Sequence, residues 1–254
     1  MLVDVDPSWL MAVFLVSVRI GVLLMLSPIF TGLAGLVTVR VLLTLVLSVM
    51  LVGALGIKPA PLALSIGPVI LAAIGELMVG AVLAFGVYAA FGAFSVAGKI
   101  LDIQSGFGIG NVYDPVTRAG APLFATMLNL VAVAALFGMD GHHAFLRGIA
   151  FSLQQVPPGT GLGALDPEPV IRQFGLMFSL GVALAIPVML CLLLVEVGLA
   201  VVSRVLPQMN VVIVLVPVKI FAGLALFALT IGVLGPAMGR VYASIFIYWE
   251  QVLR

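Results

Sequence analysis

Charge is scarce in this chain. Lysine and arginine number 11 and aspartate and glutamate 10, so 8% of the residues are charged and the formal net charge is +1. A soluble globular domain carries about 25% charged residues. With 63% hydrophobic residues, the composition excludes such a domain and indicates an integral membrane protein. The few charges are scattered singly, which leaves neither a basic patch for nucleic acid nor an acidic tail. The single cysteine, Cys191 in MLCLLLVE, excludes an intramolecular disulfide and any cysteine-based metal set. It reads as a small buried hydrophobe. The two histidines, His142 and His143, are adjacent in GMDGHHAF. Neighbours on a helix point about 100° apart, so this pair lacks the i, i+4 spacing with which two histidines share a metal, and a helix-start or loop role is expected. HExxH and GxSxG are absent, so the metalloprotease and serine-hydrolase templates lack their parts. Neither enzymatic activity nor a cofactor is expected. The start, MLVDVDPSW, holds two aspartates where a cleavable signal peptide needs basic residues, so Met1 is expected to stay on the mature protein.

What is abundant is uninterrupted apolar sequence. No charged residue occurs in 41–57, 59–75, 77–98, 119–139, 173–195 or 220–239, and several of these windows reach the roughly 20 residues that cross a bilayer as helix. Proline and glycine sharpen the edges in DPSW, SPIFTG, GIKPAPLALSIGP, LPQMN and the Gly235-Pro236 pair. The expected helices span 8–27, 37–55, 68–99, 122–137, 142–155, 167–204, 211–234 and 236–253. The expected fold class is therefore all-α, a single membrane-type domain over residues 1–254 built from helical hairpins. Two of the helices, 68–99 and 167–204, are too long for an upright span and must kink, tilt or leave the lipid. Pro187 supplies a kink in the second. In the first, small residues recur four apart at Gly80 and Ala84, Gly86 and Ala90, and Ala89, Ala93 and Ala97, a pattern for close helix approach. In the last helix Arg240, Ser244 and Gln251 share one face while Tyr242, Phe246 and Trp249 fall elsewhere, which suits an interfacial helix or one packed on a partner.

Against this background DIQSGFGIGNVYDP, residues 102–115, stands out as a polar, glycine-studded interruption. It is no dinucleotide fingerprint, because Asn111 occupies the third glycine position. Gly106, Gly108 and Gly110 free the backbone, and Phe107 and Ile109 alternate with them as bulky groups. Irregular backbone at membrane depth is tolerated only where protein buries it or where it lines a cavity. Arg19, Glu76, Glu196 and Lys219 also lie in apolar segments, and ionisable groups there mark functional or assembly contacts. The candidate pairings are Glu76 with Lys219 and Glu196 with Arg19.

These residues resemble the FliR family, the flagellar and injectisome membrane subunits of the type III export gate. The likeness rests on GELMVG with Glu76 and Gly80, on Gly98 followed by DIQSGF, on Asp114-Pro115, on RVLPQMNVVIVLVPVKI with Pro207, Gln208, Asn210, Pro217 and Lys219, and on GHHAFL followed by QQVPPG. TGLAGLVTVRVLL departs from the pattern in lacking a proline shortly before Arg40. The resemblance implies one copy of this chain in a closed helical assembly with FliP and FliQ homologues, a FlhB homologue at its entrance, in the bacterial inner membrane at the flagellar basal body. It implies a pore plug at about residues 100–121, formed by Gly106, Phe107, Gly108, Ile109 and Gly110. Asp102, Gln104, Asp114 and Pro115 would anchor this plug, which yields to unfolded protein substrates in transit. Glu76, Glu196, Gln208, Asn210 and Lys219 are then assembly or gating candidates. The alternative from the residues is a proton-coupled small-molecule or ion transporter in which Glu76 or Glu196 carries the proton.

Overall fold

The computed structural model describes residues 7–30, 37–57, 66–106, 122–160, 166–205 and 211–253. Among these residues there is no strand. They form α1 (Pro7–Leu26), a short 3-10 helix (Pro28–Phe30), α2 (Val37–Leu55), α3 (Ile66–Ser105), α4 (Leu123–Gly138), α5 (Gly141–Gln155), α6 (Glu168–Val205), α7 (Val211–Thr230) and α8 (Gly235–Val252). The all-α expectation holds, with most helix ends within two residues of their expected places. By length and composition, four of the helices are able to cross a membrane, or up to six spans if each bent pair counts as one.

Two ends differ from expectation for local reasons. α3 continues past residue 99 to Ser105, because Lys99, Asp102 and Gln104 are compatible with helix and only Gly106 breaks it. That glycine adopts φ 89°, and its N–H donates to the Ile103 carbonyl at 3.1 Å, the left-handed termination that favours glycine. α7 stops at Thr230 rather than 234, and the chain turns before Pro236 enters the first turn of α8, where its missing N–H is not needed. α6 runs through Pro187 and α7 through Pro217, each proline removing one helical hydrogen bond. At 40 residues α3 has a contour of about 60 Å, twice the hydrocarbon core of a bilayer.

The chain divides into two compact units, the first comprising residues 1–89, 140–173 and 243–254 and the second 90–139 and 174–242. In the first, Leu15, Val16, Ile20 and Leu23 of α1 pack into a core with Val79, Leu83 and Val87 of α3, Phe145, Ile149 and Leu153 of α5, and Tyr248 and Trp249 of α8. Gly80 allows this packing, since a Cβ there would lie 2.7 Å from the Arg19 carbonyl oxygen. Glycine 86 does so too, its face being covered by the Tyr248 ring. The Tyr248 hydroxyl donates to the Val82 carbonyl at 3.1 Å and the Trp249 indole to the Leu83 carbonyl at 3.0 Å. The aromatic residues of the last helix therefore turn onto this chain's own α3.

The second unit has its core in Phe94, Ala97 and Leu101 of α3, Phe124, Leu128 and Ala132 of α4, Leu184, Ala185, Val188 and Leu192 of α6, and Phe227 of α7. Tyr242 packs on Phe94 with ring centroids 5.8 Å apart and donates its hydroxyl to the Ala132 carbonyl at 2.7 Å. The four-residue spacing of Ala89, Ala93 and Ala97 is used for close packing, as all three are buried. Cys191 is only half-buried rather than fully enclosed.

α2 shows what the exterior is. Its buried positions include Thr44 and Ser48, whose hydroxyls donate to their own helix's carbonyls at Arg40 and Thr44. Leu42 and Met50 on the outside are 57% and 64% exposed. Small polar side chains inward and large apolar ones outward is the inverse of a soluble helix, and it is the arrangement expected where the surrounding medium is hydrocarbon.

Candidate functional site

In so apolar a chain the polar side chains that are buried stand out, and they gather in a few places. The first is in the first unit. Arg19 on α1 and Glu76 on α3 are 1% and 0% exposed and form a fork: Nε donates to Oε2 at 2.6 Å and Nη2 to Oε1 at 3.1 Å. The rest of the guanidinium closes the end of α5, Nη1 donating to the Ser152 carbonyl and Nη2 to the Val156 carbonyl, both at 2.9 Å. These carbonyls belong to the last turn of α5 and the residue that caps it, where helices leave acceptors unsatisfied and where a cation is favoured by the helix dipole. Glu76 Oε1 in addition accepts the Gly159 N–H at 2.9 Å. Four of the five guanidinium N–H groups are thus engaged, and a single ion pair ties α1, α3, α5 and the turn at 156–159.

The second setting lies in the second unit, at the end of α3. The Asp102 carboxylate, 5% exposed, accepts the Phe124 N–H at 2.8 Å on Oδ1 and the Ala125 N–H at 3.1 Å on Oδ2. The residue preceding α4 is Pro122, which offers no side-chain cap. Asp102 therefore performs from another helix the capping that a local Ser or Asp performs elsewhere, and its negative charge sits at the positive end of α4. Removing it in Asp102→Ala should lower stability by about 1–2 kcal/mol, from two amides left without an acceptor and a lost cap. Asp102→Asn, keeping one acceptor oxygen, should lose less, and the two are ranked by their denaturant midpoints in detergent.

In the same unit, Glu196 on α6 pairs with Lys219 on α7, Nζ to Oε2 at 2.9 Å, and Gln104 Nε2 lies 3.5 Å from the same carboxylate oxygen. This pair is unlike the first, since the Glu196 side chain is 45% exposed. The expected pairings are therefore exchanged: Glu76 takes Arg19 and Glu196 takes Lys219. Each pair joins residues within one compact unit, and α1 with Glu76 and α6 with Lys219 are the neighbours that folding provides.

Of the other candidate residues, Gly106 ends α3 as described. Phe107, Gly108, Ile109, Gly110, Asp114, Pro115, Gln208 and Asn210 lie outside the described residues. Sequence reading missed the Ser95–Asn129 pair between α3 and α4, with Asn129 Nδ2 donating to Ser95 Oγ at 3.0 Å. It also missed Gln173, which is buried and donates to Ser244 Oγ at 3.3 Å. A signal for Asn129 was present, since it is a strongly polar side chain within the uncharged window 119–139.

The sequence profile of the bacterial export proteins, family 1, matches residues 10–245. The flagellar biosynthetic protein FliR of Bacillus subtilis (strain 168) is 30% identical over 177 residues, which cover 68% of this chain and 68% of that protein. FliR of Escherichia coli (strain K12) is 23% identical over 175 residues, 68% of this chain and 67% of that one. The surface presentation of antigens protein SpaR of Shigella flexneri is 31% identical over 144 residues, 57% of this chain and 56% of that one. A chain whose described residues form helices and no strand, with large apolar side chains outward and an ion pair buried inside, matched by this profile over residues 10–245, belongs to the bacterial export proteins, family 1, the family of FliR, and is a membrane-embedded component of a type III export apparatus.

Proposed function

We propose that this chain is a structural and gating subunit of the export channel in the bacterial inner membrane, assembled with FliP and FliQ homologues and with a FlhB homologue at the entrance. In this reading the stretch that follows α3 is the plug of the channel. Gly106, Phe107, Gly108, Ile109 and Gly110 seal the pore until an unfolded protein substrate displaces them, and Asp102, Gln104, Asp114 and Pro115 hold the base. Export itself is energised by other parts of the machine.

The observation that carries the reading is the reach of Asp102. It stands one turn before the end of α3 and binds the first amides of α4, so one side chain holds together the two ends of the segment 107–121. A glycine-rich segment with pinned ends has a fixed place of attachment and an adaptable middle, the combination a removable stopper needs. Gln104, near the Glu196–Lys219 pair, supports the same base. Glu196 and Lys219, with Gln208 and Asn210, are proposed as contacts to neighbouring subunits, Glu196 because it is the half-exposed member of its pair.

The test is ion leak across the inner membrane on expressing this chain with its FliP and FliQ neighbours, comparing the intact segment with a deletion of residues 106–110. The deletion is expected to leak while the complex still assembles, because a plug contributes closure more than contact area. An assembled complex that stays tight without residues 106–110 overturns the plug assignment and makes the stretch a structural turn.

A further inference from the structure

A set of side chains with metal-ligand chemistry converges at the start of α5, the end opposite to the one that Arg19 binds. Asp140, His142 and His143 each offer one ligand atom, a carboxylate oxygen and two imidazole nitrogens, and these atoms all lie within 4.8 Å of one another. Their sequence spacing argues against such convergence, since successive helical residues diverge by about 100°. The local geometry offsets the divergence. Asp140 stands immediately before the helix at φ 56°, ψ 23°, a left-handed conformation that aspartate tolerates better than most residues. The two imidazoles lean together with ring centroids 4.2 Å apart and planes inclined by 39°.

We propose that Asp140, His142 and His143 form a binding site for a divalent transition metal of the zinc class, with water completing the coordination. Two nitrogen donors and one carboxylate suit Zn²⁺ and its first-row neighbours, whereas Ca²⁺ and Mg²⁺ take all-oxygen sets. Bonds of about 2.0–2.2 Å place tetrahedral ligands about 3.4 Å apart, so atoms already within 4.8 Å of one another need close by at most roughly 1.4 Å. Asp140 and His143 are exposed and His142 is half-buried, so the two exposed side chains can rotate toward His142 to make that closure and the site is open to the metal. A bound ion fixes the first turn of α5, while Arg19 holds its other end through the Ser152 and Val156 carbonyls. The site thus adds a second, metal-dependent restraint on the one helix that the buried ion pair caps.

The experiment uses the full chain with an affinity tag free of histidine, purified together with its partner subunits, and Co²⁺ as a visible probe followed by competition with Zn²⁺. One Co²⁺ per chain with the d–d absorption of nitrogen- and oxygen-bound cobalt is expected, displaced by Zn²⁺. His143→Gln and Asp140→Asn should each weaken binding at least about ten-fold, since even outer-shell changes reach that size, without changing the melting temperature in chelator. Zinc should raise the melting temperature of the wild type and not that of the variants. Equal binding by wild type and variants, or no binding at all by the wild type, overturns the site. X-ray absorption of the zinc-loaded wild type is the check that needs no variant: a shell with two imidazoles supports the proposal, and a shell without them sinks it.

Discussion

Arg19→Met should leave little folded protein in the membrane. The substitution keeps length and apolar bulk but abandons Glu76, which is 0% exposed, together with the Val156 carbonyl and one of the two hydrogen bonds that the Ser152 carbonyl accepts. Removing one member of a buried pair costs about 3–5 kcal/mol, because the remaining charge is left uncompensated. Against a typical total stability of about 5–15 kcal/mol, that is enough to empty the folded state of a marginal chain. Adding Glu76→Leu to Arg19→Met should recover part of the loss, since the orphan charge is then gone. Recovery stays incomplete because the Gly159 N–H and the Val156 carbonyl lose these partners, and the Ser152 carbonyl keeps only the Val156 N–H. Lys219→Met is the contrast: the Lys219 side chain is 10% exposed, but the Glu196 carboxylate it leaves behind is 45% exposed and stays hydrated, so the loss should be close to the roughly 0–1 kcal/mol of a surface pair. The measurement is the monodisperse fraction on gel filtration after detergent extraction, with a denaturant midpoint for whatever survives. Wild-type behaviour of Arg19→Met would show that the pair does not hold these helices.

The contrast between the two pairs explains which parts of the architecture were legible beforehand. Helices were readable because the uncharged windows and the Gly and Pro punctuation are local signals, so α1 to α8 fall close to where spacing places them. The choice of ionic partner is not local. Arg19 and Glu76 are separated by 57 positions, and gap counting locates each charge without saying which helix faces which. That is why the expected pairings were exchanged. The same limit hid the Asp102 cap, which joins residues 22 and 23 positions apart. The expected helix stops at residue 99, short of the polar stretch that begins at Asp102. In fact Asp102 is helical and its side chain serves the next helix. The histidine pair stands in the first turn of α5, the helix-start role expected of it, and the approach of its two rings, with centroids 4.2 Å apart, is a matter of rotamers that residue spacing does not encode. α8 was expected to be interfacial or packed on a partner; instead Tyr242 and Trp249 bond to this chain's own helices, and Ser244, expected on the other, polar face, is buried as well.

Gly98→Ala should be the most damaging glycine-to-alanine change among the described residues. A Cβ built at Gly98 overlaps the Ala125 Cα, lies 2.5 Å from the Ala125 nitrogen and 2.8 Å from its Cβ. The obstacle is backbone, which cannot rotate aside as a side-chain end does. α3 and α4 must separate here, and the Ala125 nitrogen that is pushed is one of the two amides that Asp102 holds, at 3.1 Å. Overpacking of about 1–3 kcal/mol therefore adds to a weakened cap of about 1–2 kcal/mol, and the two effects are coupled because they share one residue. Gly175→Ala and Gly198→Ala in α6 are the controls, as a Cβ at either meets nothing within 4 Å. In a helix interior, replacing glycine with alanine there should be neutral or stabilising by up to about 1 kcal/mol. Under the proposed plug, Gly98→Ala also displaces the base from which residues 107–121 spring. Whatever complex survives should then leak ions as the 106–110 deletion does, while the two α6 controls stay tight. If Gly98→Ala folds, assembles and seals like the wild type, the close approach of α3 and α4 does not set the position of that base, and the role given to Asp102 falls with it.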